Sequence, residues 1–218
     1  MMPIFAERLI GRQRVLDPMA GTCKLTEIRS FGYEGEIYCN EIEPEWAQLG
    51  EGKAIISEDD AANLHFADDF FDAICTSPTY GNRMADHHNA MDGSKRNTYR
   101  HVLGRPLTEA NTGQMQWGDS YKENHIAIWL ECRRVLKPEG IFILNISDHI
   151  RKGIVIPVSD WHKETVIGMG FELVEELKIA TRRLRYGANH TKRIDHENVF
   201  VFRRPFLLRS SAISNTSR

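Results

Sequence analysis

The fold is decided by one stretch near the start of the chain, VLDPMAGTC at Val15–Cys23. Apolar residues run into an acid, Asp17, and then into small residues that let the backbone approach a ligand closely. In an open α/β sheet, nucleotides bind at the carboxyl end of the first strand. The stretch therefore predicts a first strand at Arg14–Asp17 and a nucleotide-binding turn at Ala20-Gly21. A simpler interpretation, in which Asp17 only caps a helix, stays open.

The rest of the chain alternates short apolar runs with amphipathic stretches. This alternation is typical of βαβ units packed around a mostly parallel sheet. Further strands are predicted at Glu36–Asn40, Ala54–Ser57, Phe71–Thr76, Ile141–Ile146, Leu173–Thr181 and Asn198–Phe202. Apolar residues at helical spacing predict helices from Tyr121 to Leu136, where Pro138-Glu-Gly140 ends the pattern, and from Val158 to Gly168.

An acid follows each of the next two predicted strands. Glu41 comes directly after Glu36–Asn40, about twenty residues beyond the turn, and an acid at that place can accept hydrogen bonds from both hydroxyls of a ribose. Glu43 competes for the role, but Glu41 is preferred because it stands at the strand end. Asp60-Ala61 follows the third strand and completes the pattern of a nucleotide site.

The fourth predicted strand, Phe71–Thr76, runs into the turn TSPTYG at Thr76–Gly81. Many domains have a proline turn at a strand end. This turn, however, would lie at the carboxyl end of the fourth strand, beside the first strand, where ligands bind in open sheets. We therefore expect it to face the nucleotide.

These motifs resemble those of S-adenosylmethionine-dependent methyltransferases. Asp17-Pro-Met-Ala-Gly-Thr is similar to the cofactor loop, and Ser77-Pro78-Thr79-Tyr80 is similar to the tetrapeptide of enzymes that methylate exocyclic amino groups, especially DNA methyltransferases acting on cytosine or adenine. Glu41–Trp46, Asp60-Ala61 and His196–Phe202 resemble further motifs of the same bacterial and phage enzymes.

The chain departs from the family pattern at two positions. Thr79 replaces the second proline of the tetrapeptide, which implies a looser turn, and Cys23 stands where the family often has glycine.

The resemblance implies a Rossmann-like class I methyltransferase, with a seven-stranded, mostly parallel sheet and an antiparallel last strand, in a single domain over residues 1–208. It implies S-adenosylmethionine as the cofactor, with Ile42 packed on the adenine and Asp60 accepting from the adenine amino group. The implied cofactor-binding residues are Asp17, Pro18, Ala20, Gly21, Glu41, Ile42, Asp60 and Ala61.

The implied catalytic residues are Ser77, Pro78 and Tyr80. An exocyclic amine is conjugated with its ring and is a poor nucleophile, so acceptors that hold its hydrogens can direct its lone pair toward the methyl donor. The Ser77 oxygen and the Pro78 carbonyl would be those acceptors, and Tyr80 would stack on the base. Because the leaving group is a neutral thioether, catalysis depends mainly on alignment.

A base in duplex DNA must be extruded to reach a methyl donor, and the protein then needs phosphate contacts. The net charge is only −2, so these contacts must come from local basic stretches. The predicted nucleic-acid-binding residues are Arg83, Arg96 and Arg100 in an insert, and Arg182, Arg183, Arg185, Lys192 and Arg193 in the hairpin joining the last two strands. Such runs are more often solvated surface. An RNA amino-methyltransferase and a cofactor-binding subunit without turnover stay open as alternatives.

The chain has 218 residues, enough for one domain with a core. Residues 81–120 lack a sustained period and are predicted to form a lid or substrate-recognition insert. The Ser-rich residues 209–218 are predicted to form a flexible tail. Four widely separated cysteines and the adjacent pair His87-His88 give no zinc or other metal pattern. We expect a cytoplasmic protein with no membrane span.

Overall fold

The structure is a computed structural model that describes residues 1–81, 103–151, 153–181 and 194–206. The helices are α1 (Met2–Leu9), α2 (Pro44–Ala47), α3 (Asp119–Val135) and α4 (Val158–Gly168). The strands are β1 (Arg14–Asp17), β2 (Glu36–Asn40), β3 (Ile55–Ser57), β4 (Phe71–Thr76), β5 (Leu136–Ile146), β6 (His149–Arg151), β7 (Ile154–Ile156), β8 (Glu172–Ala180) and β9 (His196–Arg203). Short 3-10 helices occupy Lys24–Phe31, Gln48–Gly50 and Thr112–Gln114.

Seven strands form one sheet in the order β3-β2-β1-β4-β5-β9-β8. Strand β1 pairs in parallel with both β2 and β4, whereas β9 is antiparallel to both of its neighbours. This confirms the predicted fold class, a mostly parallel seven-stranded sheet with an antiparallel last strand. The carboxyl ends of β1 and β4 lie side by side at the point where the strand order reverses, as the sequence predicted.

Both faces of the sheet are covered, which explains the nearly continuous apolar runs of its central strands. On one face, Phe142 of β5 packs with Trp129 of α3 and with Phe202 of β9. On the other face, Ile143 belongs to a second cluster that includes Leu9 of α1. Alternate residues of one strand therefore anchor the two helical layers.

Three sequence predictions of elements need correction. Helix α3 begins at Asp119 rather than Tyr121, and β5 begins at Leu136 rather than Ile141. Pro138-Glu-Gly140 does not precede the strand but lies within it, where the pairing of β4 with β5 changes register. An irregularity of this kind accommodates a proline without ending the strand.

Helix α1 and the small hairpin of β6 and β7 were not predicted. The apolar face of α1 consists of Phe5, Ala6 and Leu9, all buried, but eight residues are too few for a clear helical period. The hairpin strands have three residues each. The other observed boundaries, those of β3, β8 and β9, lie within two residues of the predicted ones.

Parts of the sequence predictions lie outside the described residues. These parts are residues 82–102 of the predicted insert, the tail at 209–218 and most of the hairpin between the last two strands. Across the ranges that the structure does describe, no helix combines the length and apolar character needed to cross a bilayer.

Candidate active site

A cavity of about 700 Å³ opens at the carboxyl ends of the central strands. Its volume lies within the range of small-molecule and cofactor pockets. Every residue that the sequence proposed for cofactor binding or catalysis lines it: Asp17, Pro18, Ala20, Gly21, Glu41, Ile42, Asp60, Ala61, Ser77, Pro78 and Tyr80. The fold thus brings to one space residues that are as far apart in the chain as Asp17 and Ser77, which are sixty positions apart.

The turn after β1 is held by its own backbone and by β2. Asp17 accepts a hydrogen bond from the Met19 N–H (3.2 Å), and the Ala20 N–H donates to the carbonyl of Asn40 (2.9 Å). Gly21 has a φ of +52°, and a Cβ built there would meet no atom, so the turn leaves open space above it. The next helix begins only at Lys24, so Asp17 is not its cap.

Cys23 has a φ of 55°, in the left-handed region. Glycine adopts this conformation without a steric cost, whereas a cysteine there is uncommon. The Cys23 side chain is buried and packs against the Cα of Gly50, where a side chain would collide with its sulfur. A complementary glycine on a neighbouring turn therefore makes room for the cysteine.

Glu41 ties the end of β2 to the turn after β1. Its carboxylate is buried and accepts the N–H of Gly21 at 2.7 Å and the N–H of Glu43 at 3.0 Å. Burial raises the pKa of Glu41 above its ordinary value. Each carboxylate oxygen has more than one acceptor direction, so these backbone contacts leave capacity for a ligand.

Glu43, the competing ribose acid, is committed elsewhere. It is fully buried and accepts from the Thr108 N–H at 2.7 Å and from the Asn111 side chain at 2.8 Å. The Arg105 guanidinium lies 2.7 Å from it and also pairs with Glu45. Glu43 therefore fixes residues 105–111 beside the cavity, and the geometry favours Glu41 as the acid that faces a ligand.

Asn40 is a buried residue that supports the site and that sequence reasoning missed. Its side chain donates to the carbonyls of Pro18 and Asp59, both at 3.0 Å, and accepts from the Ser57 hydroxyl at 2.8 Å. These contacts lock together the ends of β1, β2 and β3. The signal in the sequence was a polar residue at the last position of a predicted strand.

The cavity is rich in acids. Its lining includes five carboxylates, Asp17, Glu41, Asp59, Asp60 and Glu197, and among the described side chains one lysine, Lys24. Burial raises the pKa of Asp17 to about 7, and the negative charge of Glu41 shifts it in the same direction. Such a lining favours cationic ligands and ligands with many hydrogen-bond donors over anions.

The tetrapeptide after β4 is held by several long-range hydrogen bonds. The hydroxyls of Ser77 and Tyr80 lie 3.3 Å apart. The Thr79 hydroxyl donates to that of Thr112 (3.0 Å), and the Thr79 carbonyl accepts from the Tyr121 hydroxyl (2.6 Å). These two contacts hold residue 79 at the position where the family pattern has a proline, and the looser turn stays a prediction.

Asn145 and Glu197 also line the cavity beside the tetrapeptide, and neither was singled out from the sequence. The Asn145 amide donates to the Ser77 oxygen at 3.2 Å and to the Glu197 carboxylate at 2.9 Å. The two residues lie on the neighbouring strands β5 and β9. Their signal was a polar residue at the tip of each predicted strand next to the tetrapeptide.

The eight basic residues predicted to bind nucleic acid lie outside the described residues, so their role stays a prediction. They are Arg83, Arg96, Arg100, Arg182, Arg183, Arg185, Lys192 and Arg193.

No protein-family model and no curated protein sequence matches the chain. Solved structures match its fold. The [4+2]-cyclase SpnF has a TM-score of 0.62 at 16% identity, with 94% of this chain and 79% of that chain covered. A methyltransferase of Methanosarcina mazei described as S-adenosylmethionine-dependent has a TM-score of 0.57 at 15% identity, with 94% and 98% covered.

A third similar structure is the 1,6-didemethyltoxoflavin-N1-methyltransferase of Burkholderia thailandensis, solved with 1,6-didemethyltoxoflavin and S-adenosylhomocysteine bound. Its TM-score is 0.55 at 14% identity, with 94% of this chain and 77% of that chain covered. The strand order and these likenesses show that the chain has the class I methyltransferase fold. Because one similar structure is a cyclase, the reaction must be argued from the site and not from the fold.

Proposed function

We propose that the protein is an S-adenosylmethionine-dependent methyltransferase that acts on an exocyclic amino group of cytosine or adenine in DNA. One observation carries the proposal. Strands β1 and β4 are paired in parallel, with Leu16 opposite Ile74, and the motifs that follow their carboxyl ends face the same cavity. A methyl donor on one motif would therefore meet an acceptor on the other.

The residues around the first three strand ends suit the cofactor. S-adenosylmethionine carries a sulfonium, an ammonium, a carboxylate, two ribose hydroxyls and an adenine amine, and the acids of the cavity complement all of these groups except the carboxylate. Asp17, Pro18 and the Ala20-Gly21 turn would hold its methionine end. Glu41 would take the ribose hydroxyls, Ile42 and Ala61 would contact the adenine, and Asp60 would accept from its amino group. When bound, the cofactor supplies an electrophilic methyl group.

The tetrapeptide suits an amine acceptor. The Ser77 oxygen and the Pro78 carbonyl would accept its two hydrogens, and the Tyr80 ring would stack on the base. These contacts hold the nitrogen lone pair toward the methyl donor, and alignment of this kind supplies much of the rate acceleration in bimolecular reactions.

Two features support a base in a polynucleotide. The acid-rich cavity would accommodate a neutral base and would disfavour phosphates, which would remain outside with the extruded strand. The basic residues predicted to bind nucleic acid, in the insert and the hairpin, would supply cations for those phosphates.

The test is to incubate the protein with methyl-labelled S-adenosylmethionine and either DNA or RNA, digest to nucleosides, and identify the product by mass spectrometry. We expect N4-methylcytosine or N6-methyladenine from DNA. A methylated amine from RNA alone would favour an RNA methyltransferase. Cofactor binding without transfer to either polymer would favour a non-catalytic cofactor-binding subunit.

A further inference from the structure

A buried chain of hydrogen bonds runs from the helical layer to the tetrapeptide. The Trp129 indole nitrogen lies 3.1 Å from Nδ1 of His162, and Nε2 of His162 lies 2.9 Å from the Tyr121 hydroxyl. The Tyr121 hydroxyl lies 2.6 Å from the Thr79 carbonyl. The side chains of Trp129, Tyr121 and His162 are fully buried, so water does not compete for the two contacts among them.

The chemistry of the groups fixes the direction of this chain. An indole N–H only donates, so Nδ1 of His162 must accept and its ring proton must sit on Nε2. That N–H donates to the Tyr121 oxygen, and the Tyr121 proton is left for the Thr79 carbonyl. Burial lowers the pKa of His162 well below its ordinary value, which keeps the ring neutral as this arrangement requires.

This series of hydrogen bonds ends at the backbone of the tetrapeptide, on the carbonyl of Thr79. The carbonyl of Thr79 and the N–H of Tyr80 share one planar peptide unit, so holding the carbonyl also orients the N–H of Tyr80 and places its Cα. The Thr79 hydroxyl bond to Thr112 holds the same residue through its side chain. Thr79 is thus held by two hydrogen bonds, one through its side chain and one through its carbonyl. It lies between the proposed amine acceptors, Ser77 and Pro78, and the proposed stacking ring of Tyr80.

We propose that Tyr121 and His162 are positioning residues that orient the peptide unit between Thr79 and Tyr80 and so align the acceptor for methyl transfer. This inference rests on the proposed function. Neither side chain lines the cavity, so both act through the tetrapeptide and not on the substrate.

The first test compares Tyr121→Phe with a matched control, Tyr33→Phe. Tyr33 is also buried, and its hydroxyl also donates to a backbone carbonyl, that of Glu36. Glu36 is the first residue of β2, so this contact lies at the amino end of the strand, away from the cavity. We expect Tyr121→Phe to lower kcat for methyl transfer about 10- to 100-fold, the scale of a small misalignment of reacting groups. The dissociation constant of S-adenosylmethionine should not change. The control should leave both quantities unchanged.

The second test needs no substrate. Hydrogen exchange of the Tyr80 amide in the free protein should be faster in Tyr121→Phe than in the wild type or in Tyr33→Phe. His162→Gln, which keeps an N–H donor for Tyr121, should retain more transfer and slower exchange than His162→Leu.

The two tests separate the inference from the proposed function. A wild-type protein that transfers no methyl group would overturn the proposed function, while the exchange rates would still decide whether Tyr121 orients the tetrapeptide. Unchanged kcat in Tyr121→Phe would overturn the positioning role, with or without faster exchange. An equal loss of cofactor affinity would also overturn it, because the effect would then not be confined to the tetrapeptide.

Discussion

The two halves of the cavity are built differently. The cofactor half comprises the ends of β1, β2 and β3. Its hydrogen bonds join segments that are close in the sequence, and the bond from Gly21 to Glu41 spans 20 residues. The acceptor half comprises the ends of β4, β5 and β9, and there Ser77 to Asn145 spans 68 residues. The cofactor half can therefore form within one βαβ unit and the strand that follows it, whereas the acceptor half needs the assembled sheet and helix α3.

The largest expected effect lies in the acceptor half. Tyr80→Ala removes the stacking surface and Ser77→Ala removes an amine acceptor, so each should lower methyl transfer by about 100-fold. Cofactor binding measured by calorimetry should be spared, because these residues belong to the other half. Equal losses of transfer and of cofactor affinity would erase the distinction between the halves.

In the cofactor half, Glu41→Ala should weaken binding of S-adenosylmethionine by about 10- to 100-fold, the value of a hydrogen bond to a charged group. It should also lower the free energy of unfolding, since the N–H groups of Gly21 and Glu43 lose their acceptor. Glu45→Ala, in the adjacent helix α2 and exposed, is the control and should leave affinity unchanged. Unaltered affinity in Glu41→Ala would remove Glu41 from the site.

The buried acid Asp17 should make stability depend on pH. Its pKa is about 7 in the folded protein and about 3.9 in an unfolded chain. Between these values the unfolded chain releases a proton that the folded protein keeps, so the contribution of Asp17 to stability falls as pH rises from about 4 to about 7 and then levels off. Urea unfolding of wild type and Asp17→Asn across this range measures that contribution. Parallel profiles for the two proteins would contradict the assignment.

The smallest effect is expected for Thr79→Val. It removes the bond to Thr112 but keeps the carbonyl that Tyr121 holds, so the free energy of unfolding should fall by about 0.5–1.5 kcal/mol. Methyl transfer should fall far less than in Ser77→Ala. A loss as large as that of Ser77→Ala would show that the Thr79 hydroxyl, and not its carbonyl, is the main anchor of the acceptor half.

Sequence patterns predict the cofactor half better than the acceptor half. Strands β1, β2 and β4 have their predicted bounds because each is an apolar run closed by a polar or proline-containing turn. The start of β5 was mispredicted because Pro138 usually ends a strand, and here it lies in an irregular part of one.

The pairing of the tetrapeptide with its supports could not be predicted, although Asn145 had a visible signal as a polar residue near the end of a predicted strand. Thr112, Tyr121 and Asn145 lie 33, 42 and 68 residues from their partners, and hydrogen bonds across that separation follow from tertiary packing and not from spacing in the chain.

The most direct test of the account is a crystal structure of the protein with S-adenosylhomocysteine. The account predicts that the ribose lies against Glu41 and that the sulfur lies between the turn at Gly21 and the tetrapeptide at Ser77. A ligand bound away from the strand ends, or one whose sulfur faces away from Ser77 and Tyr80, would contradict it.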